Sequence, residues 1–367
     1  MPSKPQKICF IMQEATPGTH MDYVYEIART LREDEGLPLR LLLEKGSQEV
    51  RPEWVVSQQF KFVPLRVLEN FILIARERMH GTKIFYIHYS FLSAISAGMV
   101  TAFSSGKVFY WNAGMPWQYA RPRYVEWYQK IAYQLIDVLV TGAESLRAGY
   151  MKAYGLRTEQ IKIIPNWIDL TQIVPSDDKE SLRASLNLPA GVPLLLYVHK
   201  LAPRKGAQWL VPLIEKIKDT ECHLVIAGDG SEAETIKKSA AVASLTERIH
   251  LLGRVSRETV KQLYQVSDIF IMPSHEEGSP HSLIEAMAYG LPSVSFAVGG
   301  VLDTLSPEAA LYSYPYGDID QFAVGVDTLL HNNEVYNHQR ETALTWVKQF
   351  AKPLAVQKFS VLLTETK

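Results

Sequence analysis

Short apolar runs alternate with longer amphipathic stretches along most of this chain, and they do so in two rounds. In the first, residues 7–12, 39–44, 84–88, 108–111 and 137–141 read as strands, and 23–32, 65–79 and 123–136 as helices. Val24, Ile27, Ala28 and Leu31 recur at helical spacing. A short run at 160–164 and two turn-rich stretches, Pro175-Ser176-Asp177-Asp178-Lys179 and Leu188-Pro189-Ala190-Gly191-Val192-Pro193, interrupt the pattern. It restarts with strands at 194–198, 223–227, 249–252, 269–273 and 293–296, and helices at 207–217, 232–245, 257–266 and 282–289. Uniformly apolar strands separated by helices call for a parallel sheet covered on both faces. The expected fold is α/β, with two doubly wound, Rossmann-like domains. The boundaries read are 1–178, 179–345, and a C-terminal segment 346–367 that packs back on the first domain. Ligands of such sheets bind beyond the carboxyl ends of the strands, so a central cleft between facing domains is the expected site.

Composition narrows the partners. With 38 Lys and Arg against 39 Asp and Glu, the net charge is -1, which gives the whole chain no electrostatic appetite for nucleic acid. The two cysteines, Cys9 and Cys222, lie in apolar runs and read as small hydrophobes in a reducing compartment; they supply neither a disulfide framework nor a zinc site. No secretory leader is read before residues 8–12. No apolar stretch reaches the ~20 residues of a membrane span; the nearest, 91–103, is interrupted by Ser93, Ser96, Gly98 and Thr101. The expectation is a cytoplasmic protein, able to touch the inner face of a membrane.

Three segments carry chemistry. The sharpest is Ser274-His275-Glu276-Glu277-Gly278-Ser279-Pro280-His281-Ser282-Leu283-Ile284-Glu285, a strand end, a glycine- and proline-containing loop and a helix start. The first N–H groups of such a helix form an anion site. Glu277 is expected at the rim and Glu285 in the first helical turn, each free to bond different hydroxyls of one ligand. Equally, the first reads as a solvated loop residue and the second as a capping carboxylate. The second segment, Val198-His199-Lys200-Leu201-Ala202-Pro203-Arg204-Lys205-Gly206, puts three cations between a strand and a helix, which suits a diphosphate or an ordinary basic loop. The third, Ala227-Gly228-Asp229-Gly230, is a glycine turn after a strand and lacks the third glycine of a dinucleotide fingerprint.

In this order the segments resemble the retaining family-4 glycosyltransferases of the GT-B fold. Lys200…Lys205-Gly206 looks like that family's diphosphate clamp, with Lys for Arg. Ala227-Gly228-Asp229-Gly230 matches its turn, Glu277 and Glu285 match E-x7-E, and Val298-Gly299-Gly300 matches its glycine pair. Ile164-Pro165-Asn166-Trp167-Ile168-Asp169 is similar to the segment closing the family's first domain, and Gly18-Thr19 to its first glycine loop, with one glycine missing. The resemblance implies a hexosyltransferase that moves sugar from a nucleotide sugar, UDP-linked in preference to GDP-mannose, to a hydroxyl of a glycan or lipid-linked acceptor.

It also implies roles. Glu277, Lys200, Lys205 and Asn112 would be catalytic, the carboxylate at the sugar and the lysines at the diphosphate. Gly18, Thr19, Arg254, Val255, Gly278, Ser279, Pro280, His281, Ser282, Glu285, Gly299 and Gly300 would surround the donor, with Glu285 at the ribose and Arg254 and Val255 at the base. No cofactor and no metal is implied; Asp318-Ile319-Asp320 reads as a turn. Many relatives carry His where this chain has Asn112, which cannot hold a proton in the same way. His20 and His88 are acceptor-side candidates or polar satellites. The departures at Asn112 and Thr19 motivate an alternative, a catalytically weak nucleotide-sugar-binding subunit of a glycosyltransferase complex. Residues 61–130 hold nine cations and three carboxylates. Trp117, Tyr119, Tyr124, Trp127 and Tyr128 fall among them. The stretch suits an anionic membrane face, or a helix packed on the sheet.

Overall fold

The computed structural model describes residues 6–14, 21–45, 52–174, 178–217 and 221–364. The chain divides into two compact units, Met1–Pro165 with Pro353–Lys367, and Asn166–Lys352. The first holds β1 (Lys7–Met12), β2 (Leu39–Leu43), β3 (Val55–Ser57), β4 (Thr82–His88), β5 (Lys107–Trp111), β6 (Val138–Thr141) and β7 (Ile161–Ile163). They form one parallel sheet, ordered β3-β2-β1-β4-β5-β6-β7. Direction reverses between β1 and β4, the switch point of a doubly wound sheet. Cys9, Ile11, Phe85, Ile87, Val108 and Tyr110 are buried together on one face of it. Each such side chain stabilises by about 1.5–3 kcal/mol through area removed from water.

Helices Val63–Met79, Phe91–Thr101 and Arg123–Leu135 pack side by side in that order. The middle one carries the long apolar run and is sandwiched, burying Ser93, Ala94, Ser96, Ala97 and Gly98. Gly98 is required there, because a Cβ would lie 2.6 Å from the Leu135 side chain. Among the described residues no helix is long and apolar enough to cross a membrane. The edge strand Val55–Ser57 and the helix Arg147–Tyr154 carry too few periodic residues to be read from sequence.

The second unit holds β8 (Leu194–Val198), β9 (His223–Ala227), β10 (Ile249–Gly253), β11 (Ile269–Met272), β12 (Ser293–Phe296) and β13 (Ser313–Tyr314), ordered β10-β9-β8-β11-β12-β13 and again parallel. Alternate strand residues enter opposite cores: Leu195, Tyr197, Leu224 and Ile226 one, Leu194, Leu196, Val225 and Phe270 the other. The switch point lies between β8 and β11.

The second unit begins at Asn166, ahead of the turn-rich stretch near 178 that the sequence reading took for the junction. Bonding explains the position. Asn166 donates to Ser279 through its backbone N–H (2.8 Å to Oγ) and its side-chain amide (2.5 Å to the carbonyl). Ile168 pairs with Phe350 and Lys352. Farther on, Arg183 is buried in the second unit, bonded to the Val266 carbonyl and to Asp268. The chain returns to the first unit at Pro353, and the ring of Phe359, in helix Lys352–Thr364, meets that of Tyr86 edge-on at 5.6 Å.

Candidate active site

The carboxyl ends of β8, β9, β11 and β12 meet through glycines that leave no room for a side chain. Gly206 follows the β8 loop at φ +76°, and a Cβ on it would sit 1.8 Å from the Pro273 carbonyl oxygen. A Cβ on Gly228 would meet the His199 carbonyl at 1.8 Å, and one on Gly230 the Leu201 carbonyl at 2.1 Å. Backbone bonds complete the seam: Leu201 N–H to Asp229, His275 N–H to Arg204, and Gly300 N–H to the Glu277 carbonyl. The sequence motifs Lys205-Gly206, Gly228-Asp229-Gly230 and Gly299-Gly300 thus hold four loops against one another.

Inside this seam lies a buried ion pair. Lys205 Nζ is 2.9 Å from Glu277 Oε1, with the side chains 9% and 5% exposed. Lys205 also donates to the Glu276 carbonyl at 3.1 Å, and its own carbonyl accepts from the buried Tyr197 hydroxyl. Ser274 Oγ donates to Glu277 Oε1 at 2.7 Å, and His199 Nε2 lies 3.4 Å away. Burial pushes the Glu277 carboxyl up, but Lys205 and then His199 outweigh it and hold it at about 2. Glu277 is therefore a buried, ionised carboxylate and not the rim residue expected: the Pro273–Pro280 loop folds it inward, where the Lys205 ammonium, the Ser274 hydroxyl and the His199 ring replace its water. Arg204 turns to Glu276 at 2.8 Å, while Lys200 is exposed.

Glu285 is the fifth residue of helix His281–Ala288 and so falls just past the first turn, because the helix opens at His281, one residue earlier than expected. Tyr264 shares its hydroxyl proton between Glu285 Oε2 and the Ser282 carbonyl, both at 3.1 Å. Burial raises the Glu285 carboxyl, against Tyr264, Arg257 and Lys261. His281 is pushed down to about 4 by burial and by Arg257, so the helix opens on a neutral imidazole. Its first intrahelical bond runs from Ile284 N–H to the Pro280 carbonyl, which leaves the N–H groups of the first turn outside the ladder.

The remaining expected residues divide. Gly300 joins the seam through Glu277 and Pro280 accepts the first bond of the following helix, whereas Ser279 is engaged with Asn166. Arg254 is exposed after β10, and Val255 packs against the core. In the first unit, Asn112 spends both ends of its amide on structure: Nδ2 donates to the Tyr133 hydroxyl at 3.0 Å, and Oδ1 accepts from Gly114 N–H at 2.9 Å. His88 is buried and stacks on Trp111 at 4.1 Å. Gly18, Thr19 and His20 lie outside the described residues. Asp318 caps helix Ile319–His331, bonding Gln321 N–H, and Asp320 pairs with Lys216. Among the described residues no group of three or more His, Cys, Asp or Glu could hold a metal ion. The sequence reading missed His199 and Asn166 as site-forming residues. The first follows directly on β8, and the second stood in a motif read only as a domain boundary.

Two parallel sheets with these loops have the architecture of GT-B glycosyltransferase structures. Sucrose-phosphate synthase from Thermosynechococcus elongatus superposes with a TM-score of 0.82 at 20% identity, covering 98% of each chain. HepE of Anabaena, solved in complex with UDP-glucose, gives 0.79 at 17% identity, covering 98% of this chain and 100% of that one. The family model of glycosyl transferases group 1 matches residues 178–346. The D-inositol 3-phosphate glycosyltransferase of Xylanimonas cellulosilytica is 31% identical over 174 residues, 45% of this chain and 42% of that protein. The chain spans about half the length, or less, of the curated relatives it matches in this way.

Proposed function

We propose that the chain transfers a hexosyl group from a nucleotide sugar to an acceptor hydroxyl, with retention at the anomeric carbon. The observation that carries this reading is the buried Lys205–Glu277 pair in a glycine-sealed seam of a group 1 segment. The bond between the anomeric carbon and the diphosphate oxygen breaks, and its electron pair leaves with the diphosphate. The acceptor oxygen forms the new bond, and its proton passes to the departing diphosphate. Positive charge grows on the sugar and negative charge on the leaving group. Glu277, ionised at every physiological pH, stabilises the first. Lys205 and the exposed Lys200 stabilise the second without reorganising.

A UDP-sugar is the favoured donor, supported by the HepE complex, with GDP-mannose second. Glu285 bonds the ribose, and Arg254 and Val255 flank the base. The acceptor is a glycan or a lipid-linked precursor, met on the cytoplasmic side at the inner face of a membrane. The engagement of Asn112 with Tyr133 and Gly114 favours a second reading, a catalytically weak nucleotide-sugar-binding subunit of a glycosyltransferase complex. Slow donor hydrolysis by the isolated protein would exclude it.

Two carboxylates in different roles give the test. Glu285→Gln removes a charge whose bonds to the ribose are alike in ground and transition states, so donor KM rises with a smaller change in kcat. Glu277→Gln removes a charge needed as the glycosidic bond breaks, so kcat falls and donor KM stays within a few-fold. Steady-state kinetics over a panel of nucleotide sugars separate the two. An unchanged kcat in Glu277→Gln rejects the assignment. The lysines supply the positive charge a metal would otherwise bring, so activity is expected to survive exhaustive chelation. Loss with EDTA and recovery with Mn²⁺ would reject the metal-independent reading.

A further inference from the structure

We propose that the outer face of the three packed helices of the first unit docks on an anionic lipid bilayer. The helix Val63–Met79 is built inside out. It buries Asn70 and Glu77 with Ile74, and exposes Leu65, Leu68 and Ile72 to solvent, the last two at 56% and 53%. Its polar inner residues are tied into the first unit: Asn70 Nδ2 donates to Ser93 Oγ at 2.8 Å, while its Oδ1 is buried without a partner among the described residues, and Glu77 meets Arg40 at 3.1 Å and accepts from Thr82. Rolling the helix to hide its apolar side would break those bonds, so this orientation is its stable one.

Further large apolar side chains are exposed beyond that helix. Phe62, just before it, is 66% exposed, and Tyr124 and Trp127 of helix Arg123–Leu135 are 73% and 66% exposed. Large apolar and aromatic side chains exposed in this number on neighbouring helices mark an interaction face. Lys61, Arg76, Arg123 and Lys130 are exposed among these residues. Of the three carboxylates between 61 and 130, Glu77 is occupied as above and Glu69 by the N–H groups of Gln59 and Phe60, and Glu126 is exposed between Tyr124 and Trp127. Exposed aliphatic residues, interfacial aromatics and an excess of exposed cations over the single exposed carboxylate Glu126 together match the boundary of an anionic membrane. A second copy of the chain would set these cations against each other. The proposal rests on the membrane-borne acceptor for its purpose, though not for its geometry.

The test uses the full chain and vesicles of phosphatidylcholine alone or mixed with phosphatidylglycerol, read by cosedimentation. Binding is expected only to the mixed vesicles and should weaken with salt, since exposed charges are screened beyond about 8 Å at physiological ionic strength. Arg76→Glu should weaken binding by about fivefold for each unit of charge changed. Arg78 is a poor probe, because its guanidinium holds the Thr82 carbonyl and Ser104. The double variant Leu68→Asp/Ile72→Asp should abolish binding. Trp127→Ser, on a separate helix, should weaken it even if the double variant fails to fold. Thermal stabilisation by UDP checks that each variant keeps its second unit. Equal binding to both vesicle types, binding to neither, or a dimer that Leu68→Asp dissociates would each overturn the proposal. Vesicle binding without turnover on any donor would instead count against the glycosyl-transfer reading alone.

Discussion

Lys205→Ala is expected to lower turnover by about 10²-fold or more, the scale for removing one preorganised charge stabiliser at a developing anion. It should also destabilise the fold, because it leaves Glu277 buried without its 2.9 Å partner. The pH dependence provides an independent readout. In the folded chain the Glu277 carboxyl is held at about 2, below its usual range. A depressed carboxyl contributes stability that is present above the unfolded value, near 4.3, and lost as pH falls through the folded value. For Glu277 that amounts to about 3 kcal/mol, lost between roughly pH 4.5 and pH 2. Lys205→Ala removes the main cause of the depression, so urea midpoints of the variant should fall less steeply across that window than those of the parent. Lys200→Arg, at an exposed position, should be tolerated. Near-normal turnover in Lys205→Ala would mean that the diphosphate is held elsewhere.

Strand positions and the glycines of the second unit's loops were largely legible in the sequence, because both leave periodic or compositional marks. The runs at 194–198, 223–227 and 293–296 coincide with β8, β9 and β12. The glycines at 206, 228 and 230 stand where carbonyls from neighbouring loops approach too closely for a side chain. What the sequence concealed was side-chain partnership across distant segments. Glu277 looked like a loop carboxylate because nothing local tells that Lys205, 72 residues earlier, and His199 face it. Asn112 looked like a catalytic substitution, yet its partner Tyr133 lies on a helix 21 residues away. In helix Val63–Met79 the apolar residues nearly surround the axis, so spacing alone could not say which side faces the sheet. The bonds of Asn70 and Glu77 decide it. Such contacts depend on which loops the sheet order brings together, and that order is a property of the whole fold.

Gly206→Ala should be among the most damaging single substitutions in the second unit. Two effects add there. At φ +76° an alanine is strained by about 1–2 kcal/mol. Its Cβ would also lie 1.8 Å from the Pro273 carbonyl oxygen, closer than any contact can be, so the β8 and β11 loop ends must separate. Neither side yields cheaply: Gly206 N–H is bonded to the Pro203 carbonyl, His275 N–H to the Arg204 carbonyl, and the Lys205–Glu277 pair spans the gap. A total loss above about 3 kcal/mol is expected, in the range reserved for overpacking combined with a broken buried network. Gly191→Ala isolates the strain, since Gly191 has φ +70° and nothing within 4 Å of its added Cβ. It should cost about 1–2 kcal/mol and leave turnover unchanged. Urea unfolding of the two variants beside the parent makes the comparison. Equal losses would mean that the approach of Gly206 to Pro273 is not held in solution, and the seam that positions Glu277 against Lys205 would then have to be looser than described.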